Sequence, residues 1–133
     1  MQGSKVLVVD DEAHITHVVS LKLRNAGCEV MTAGDGEEGY ELACQHLPDL
    51  IITDLQMPYM NGVEMCAKLR ETHATEHIPV LMLTARGYSL APEDYARTNI
   101  REILSKPFSP REVLEKVQAA LAGRSSAGEA EAA

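Results

Sequence analysis

The sequence lacks any apolar stretch long enough to cross a membrane. A transmembrane helix needs roughly 20 consecutive apolar residues, whereas the apolar runs here are only a few residues long. Residues 1–5 also lack the charged and then apolar layout of a secretory signal. We therefore expect a cytoplasmic protein with no membrane interaction.

Basic residues are too few to balance the acidic ones. There are 12 lysines and arginines against 20 aspartates and glutamates, which gives a net charge of -8. An acidic surface repels the phosphates of nucleic acids. We therefore predict no direct binding to nucleic acid.

Cysteine and histidine motifs are also missing. The three cysteines, an odd number, form no CxxC pair, and the five histidines form no HExxH pattern. His73 and His77 lie four residues apart, but in a stretch that is typical of a loop. These patterns favour reduced thiols and disfavour both a disulfide framework and a zinc site.

What the sequence does contain is an alternation of strand-length and helical patterns. Residues 6–9, 50–52 and 80–83 are continuous apolar runs, which fit strands buried on both faces of a parallel sheet. Residues 28–32 and 100–104 mix apolar and polar side chains, which suits edge strands. Five helices are predicted between and after these strands: one ending at Gly27, and others near 35–47, 61–70, 91–97 and from Ser109 onward.

This order of elements predicts a single α/β domain over residues 4–122. Five βα units with right-handed crossovers form a parallel sheet. Three buried and two edge strands favour the flavodoxin-like, doubly wound order 2-1-3-4-5 over a closed barrel. Residues 123–133 are small and polar, and we expect a disordered tail or a linker stub there.

Acidic residues, a hydroxyl and a lysine follow the predicted strands. Asp10 and Asp11 come after the first strand, Asp54 after the third, Thr84 after the fourth and Lys106 after the fifth. In an open α/β sheet, ligands bind beyond the carboxyl ends of the strands. We therefore expect these side chains to converge on one crevice.

A cluster of carboxylates requires a compensating cation, since like charges raise one another's pKa. Mg²⁺, which prefers oxygen ligands, suits such a cluster. A carboxylate can also accept a phosphoryl group as a nucleophile, while a metal ion and a lysine offset the charge of that group. The constellation therefore indicates phosphoryl transfer.

Four ordered motifs strengthen that interpretation. Val-Val-Asp-Asp-Glu (8–12), Ile-Ile-Thr-Asp-Leu-Gln-Met-Pro (51–58) with Asn61-Gly62, Leu-Thr-Ala (83–85) and Ser-Lys-Pro-Phe (105–108) resemble the signature of response regulator receiver domains. The resemblance spans about residues 4–122. It implies a two-component signalling switch, with a histidine kinase or histidine phosphotransfer protein as the donor.

The resemblance also implies a role for each site residue. Asp54 would be the phosphoacceptor, Thr84 the switch hydroxyl and Lys106 the contact to the phosphoryl group, with a cis peptide bond between Lys106 and Pro107. Mg²⁺ would be held by Asp11, Asp54 and the backbone carbonyl of Gln56, and by Asp10 through water. The chain would supply catalytic groups only for its own phosphorylation and dephosphorylation, not for an external product.

Some features of the output are less well defined by the resemblance. Many receivers carry a tyrosine or phenylalanine as a rotating switch where this chain has Ile103, so the chain departs from the family pattern at this position. Gln56 and Arg86 occupy the two places that tune phosphoryl lifetime in the family. We expect a downstream protein target on the face formed by helix 4, strand 5 and helix 5, and homodimerisation there is left open.

Three alternatives compete with this interpretation. Residues 34–39 match the GxGxxG pattern of dinucleotide-binding proteins, but they follow an edge-like second strand and carry three acidic residues. An aspartate-nucleophile phosphatase of the haloacid dehalogenase type would need DxDxT after the first strand, where this chain has Asp10-Asp11-Glu12-Ala13. A degenerate receiver that acts only as a binding module is the third alternative.

Overall fold

The computed structural model describes residues 2–85 and 87–132, with side chains up to residue 122. Five strands alternate with five helices along the chain. The strands are β1 (Lys5–Val9), β2 (Glu29–Ala33), β3 (Leu50–Asp54), β4 (Val80–Thr84) and β5 (Ile100–Ser105). The helices are α1 (Ala13–Asn25), α2 (Gly36–His46), α3 (Gly62–Glu71), α4 (Pro92–Ala96) and α5 (Pro110–Ala132).

The strands form one parallel sheet in the order β2-β1-β3-β4-β5, which confirms the predicted fold. Every residue of β3 and β4 is buried, as their continuous apolar runs predict. The outer strands β2 and β5 include exposed and half-buried positions, as expected for edges.

Alternating side chains of the central strands build two separate cores. Leu7, Ile51 and Met82 pack on the face covered by α2 and α3. Val8, Ile52 and Leu81 pack on the opposite face, which is covered by α1 and α5. Helices therefore lie on both faces of the sheet, which is the doubly wound arrangement.

The end of α1 explains a small shift in the start of β2. Gly27 adopts a φ of 97°, and its N–H and that of Cys28 donate to the carbonyls of Arg24 and Leu23. These two bonds form a Schellman motif, in which glycine accommodates the left-handed conformation. Cys28 is thus used to close α1, so β2 begins at Glu29 instead of the predicted residue 28.

Three helix starts are stabilised by side chains that the sequence predicted as caps. Asn61 and Glu64 form a reciprocal capping box at the start of α3. Ser109 and Glu112 make the same pair of bonds before α5. Asp35 accepts a hydrogen bond from the backbone N–H of Glu38, while the carboxylate of Glu38 accepts one from Gly34.

The bonds of Asp35 and Glu38 also account for the GxGxxG-like segment. Two of its three acidic side chains, those of Asp35 and Glu38, accept hydrogen bonds from backbone N–H groups at the start of α2. Its last glycine, Gly39, lies so close to β1 that a Cβ there would be 2.8 Å from the side chain of Val9. The segment therefore fits a helix start that packs tightly on the sheet, and not a dinucleotide-binding loop.

Two further predictions concern α4 and the C-terminal segment. None of the described residues of α4 is buried, and the helix has only 5 residues, close to the predicted 91–97. The backbone of α5 is helical through Ala132, and alanine and glutamate, which are common in that segment, favour helix formation. The domain boundary at residue 122 and the disordered tail or linker stay predictions.

Within the described residues, no helix is both long and apolar enough to span a bilayer.

Candidate phosphoryl-acceptor crevice

The carboxyl ends of four adjacent strands define a crevice at one edge of the sheet. Val9 pairs with Thr53, Asp54 pairs with Leu83, and Thr84 pairs with Ser105. Since parallel strands in register end at the same level, the residues at or just after their ends become neighbours. The sheet thus brings together the side chains that the sequence places after separate strands.

Three aspartates face one another in this crevice. Ligand oxygens of Asp10, Asp11 and Asp54 all lie within 4.8 Å of one another. Asp10 and Asp54 are buried, with 1% and 6% of their surface exposed, whereas Asp11 is exposed. Two buried carboxylates and one accessible carboxylate therefore share a small volume that opens to solvent.

Lys106 supplies the positive charge in the crevice. Its Nζ lies 3.1 Å from Oδ1 of Asp54, 3.5 Å from Oδ2 of Asp10 and 3.5 Å from Oε1 of Glu12. The Lys106–Pro107 peptide bond is cis, as the resemblance implies. One ammonium group is thus shared among three carboxylates.

The positive charge of Lys106 does not fully offset the effect of burial on the pKa values of Asp10 and Asp54. Burial raises the pKa of Asp10 to about 6, against the opposing effects of the Glu12 backbone N–H and of Lys106. Burial also raises the pKa of Asp54, although its hydrogen bond to Lys106 acts in the opposite direction. Burial alone would lower the pKa of Lys106, but the carboxylates of Asp54, Asp10 and Glu12 outweigh it and raise that pKa.

Unpartnered oxygens indicate that the crevice fits a cation. Oδ2 of Asp10 is buried without a hydrogen-bond partner among the described residues, since its 3.5 Å approach to Lys106 is ionic only. A buried carboxylate oxygen without a partner is costly. A divalent ion that prefers oxygen ligands would satisfy it, and the donor set of three carboxylates matches such an ion.

Thr84 places a hydroxyl at the same edge. Thr84 is fully buried, and its Oγ1 also has no hydrogen-bond partner within the described part of the chain. Gln56 lies in the loop that leaves β3, two residues after Asp54, and its side chain is exposed. Arg86, the second position that the resemblance connects with phosphoryl lifetime, lies outside the described residues.

Gly62 shapes the loop that follows Asp54. Its N–H donates to the carbonyl of Leu55 over 2.8 Å. A Cβ at Gly62 would collide with the carbonyl oxygen of Asp54 and lie 3.1 Å from the Cα of Leu55. The first turn of α3 therefore packs directly against the backbone at the end of β3.

Sequence reasoning left Glu12 without a role, although the structure places it beside Lys106. One signal was present in the sequence. Glutamate is not among the residues that favour the N-cap position, and Glu12 occupies that position in α1. The missing information was the position of Lys106, which is 94 residues away along the chain.

Comparisons with known proteins identify the family that this chain resembles. The family model of the response regulator receiver domain matches residues 6–118. The alkaline phosphatase synthesis transcriptional regulatory protein PhoP of Bacillus subtilis is 40% identical over 127 residues, covering 90% of this chain and 49% of that protein. The phosphate regulon transcriptional regulatory protein PhoB of Pseudomonas aeruginosa is 33% identical over 132 residues, covering 99% of this chain and 57% of that protein.

A solved structure shows the same similarity over its whole length. The chemotaxis response regulator CheY4 of Vibrio cholerae superposes with a TM-score of 0.82 at 35% identity, covering 90% of this chain and 99% of that chain. This chain spans about half the length of the curated relatives it matches. Together with the family match over most of the chain, these findings show that it belongs to the response regulator receiver domain family.

Proposed function

We propose that this domain is a phosphorylation-dependent switch of a two-component phosphorelay, with Asp54 as the acceptor. The observation that carries the proposal is the contact of 3.1 Å between Asp54 and Lys106 inside a crevice that also holds Asp10 and Asp11. A donor histidine kinase or histidine phosphotransfer protein would present a phosphohistidine. An oxygen of Asp54 forms the new P–O bond, and the P–N bond breaks with its electron pair returning to the imidazole nitrogen.

Each neighbouring side chain has a distinct part in this reaction. Lys106 contacts Asp54 and offsets charge on the incoming phosphoryl oxygens. Thr84, whose hydroxyl has no partner among the described residues, donates to a phosphoryl oxygen once the group is attached. These are the groups that the domain contributes to its own phosphorylation and hydrolysis, and no external product is formed.

Asp11, Asp54 and the backbone carbonyl of Gln56 would hold Mg²⁺, with Asp10 acting through water. The close carboxylates and the unpartnered oxygen of Asp10 support this assignment. When bound, Mg²⁺ neutralises negative charge in the crevice and on the phosphoryl oxygens.

The output surface in this proposal is the face formed by α4, β5 and α5. Tyr88, just before α4, and Tyr95, within it, are each 43% exposed, and the segment directly follows Thr84. Ile103 is half-buried and packs against the core on the α2 and α3 face, where many receivers carry an aromatic residue. Phosphorylation would therefore act by drawing Thr84 toward Asp54 and displacing α4, without an aromatic rotamer change.

The partner of that face is a downstream protein in a cytoplasmic pathway. The relatives named above are transcriptional regulators, and another, RpaA of a Synechocystis strain, is named as DNA-binding. This domain covers about half of each of these proteins. We do not expect it to make their DNA contacts, because its own surface is acidic. The same face is also the candidate surface for homodimerisation.

Phosphorylation of the isolated domain tests the proposal directly. Incubation with acetyl phosphate and Mg²⁺ should add the mass of one phosphoryl group to the intact protein. Asp54→Asn should abolish the gain, whereas the matched variant Asp35→Asn should not, because asparagine also caps helices well. No mass gain in the wild type would favour the degenerate receiver. Repeated turnover of a small phosphomonoester would instead favour the phosphatase alternative.

A second measurement tests the output surface. Backbone NMR shifts caused by acetyl phosphate should extend from the crevice into α4 and β5. Shifts confined to residues that surround Asp54 would contradict the proposed displacement of α4.

A further inference from the structure

Glu12 occupies the N-cap position of α1 without capping the helix. Its backbone is extended, with φ of −93° and ψ of 106°, and its side chain makes no capping hydrogen bond to the described residues. The carboxylate instead approaches Lys106, with 3.5 Å between Oε1 and Nζ. The side chain is therefore used at the crevice and not at the helix start.

The backbone of Glu12 is held in place by the crevice itself. Its N–H donates to Oδ1 of Asp10 over 2.9 Å. The same aspartate reaches Lys106 through its other oxygen, 3.5 Å from Nζ. Asp10 thus links the position of Glu12 to the position of the lysine.

The three carboxylates around Lys106 differ in their exposure. The side chains of Asp10 and Asp54 are 0% and 8% exposed, whereas that of Glu12 is 60% exposed. Lys106 therefore lies between two buried acids and one exposed acid. Asp10 and Asp54 belong to the acidic cluster of the crevice, but Glu12 does not.

We propose that Glu12 is a positioning residue that competes with the phosphoryl group for Lys106 and thereby slows phosphorylation of Asp54. This inference rests on the proposed function. A phosphoryl group on Asp54 brings oxygens that need the ammonium group of Lys106, while Glu12 draws that group toward solvent.

Two substitutions at the same position separate contact from charge. Glu12→Gln removes the charge at nearly constant size, and Glu12→Asp keeps the charge but shortens the side chain by one methylene. Both lose the ion pair with Lys106. In acetyl phosphate and Mg²⁺, both should be phosphorylated about two to five times faster than wild type, the size expected for one partly exposed ion pair.

A control and a second readout exclude indirect effects. Glu41→Gln removes the same charge from an exposed position on α2 and should leave the rate unchanged. The urea unfolding midpoint of Glu12→Gln should match that of wild type, since Glu12 makes no capping bond to the described residues. Glu12→Asp places a preferred N-cap residue at the start of α1, so its midpoint should be equal or higher.

The outcomes distinguish this inference from the proposed function. An unphosphorylated wild type would overturn both. A phosphorylated wild type with unchanged or slower Glu12 variants would overturn the role of Glu12 alone. Acceleration by Glu12→Gln but not by Glu12→Asp, or an equal acceleration by Glu41→Gln, would indicate a general charge effect and would also overturn it.

Discussion

Single residues in the crevice are defined by what surrounds them, not by their type. Asp54 is one of many acidic residues in the chain, yet burial and the contact with Lys106 distinguish it from surface acids. Gly62 is likewise set apart from other glycines because the backbone of Asp54 leaves no room for a side chain there. At this scale, the packing around Asp54 is as specific as its charge.

Gly62→Ala should destabilise the domain by about 2 kcal/mol, since overpacking against backbone usually costs about 1–3 kcal/mol. The added methyl group would collide with the carbonyl of Asp54 and press on Leu55. Urea denaturation measures the effect. Gly34→Ala is the matched control, because a Cβ there meets no described atom within 4 Å. Equal stabilities for the two variants would contradict the packing argument.

Secondary-structure elements differ sharply in how firmly they are anchored. The strands β3 and β4 are buried throughout, and α3 begins with a capping box. The short helix α4 has no buried residue among those described, and Leu90 just before it is the nearest buried apolar side chain in sequence. The element that follows Thr84 is thus the one with the least packing to resist a displacement.

Hydrogen exchange should show this difference. Amides of α4 should exchange by local opening, at much lower protection than those of β3 and β4, which should open only with global unfolding. Exchange followed by NMR or mass spectrometry on the unphosphorylated domain provides the measurement. Similar protection in α4 and β4 would show that α4 is anchored more firmly than its burial indicates.

For the whole molecule, the crevice makes stability depend on pH. The pKa of Asp10 is about 6 in the folded state, above the ordinary 3.8. A carboxyl group with a raised pKa binds its proton more tightly when folded. Its contribution to stability is therefore complete below about pH 4 and is lost as the pH rises through about 6.

Asp10→Asn should consequently be more stable than wild type at neutral pH in the presence of EDTA. The expected gain is on the order of 3 kcal/mol, from the difference between the two pKa values. The gain should shrink as the pH falls from about 6 to about 4, because Asp10 of the folded wild type takes up its proton over that range. Thermal or urea unfolding across this range is the measurement. A gain that is the same at pH 4 and pH 7.5 would contradict ionisation as its cause.

Local patterns in the sequence were sufficient to predict the architecture. Continuous apolar runs mark β1, β3 and β4 because these strands are buried on both faces, and the caps at Asp35, Asn61 and Ser109 mark helix starts. Strand boundaries were less accurate. The start of β2 depended on the hydrogen bond from Cys28 to α1, which is a contact between elements.

The residues of the crevice show the same division between what the sequence predicts and what depends on contacts between distant residues. Sequence by itself determined which residues stand at the strand ends. Because the strands are parallel, those residues must meet at one edge of the sheet. Only the tertiary structure decided how Lys106 is shared among Asp54, Asp10 and Glu12, and which acids are buried. The physical reason is that desolvation and ion pairing depend on distances between groups far apart in the chain, and those distances exist only after the sheet has formed.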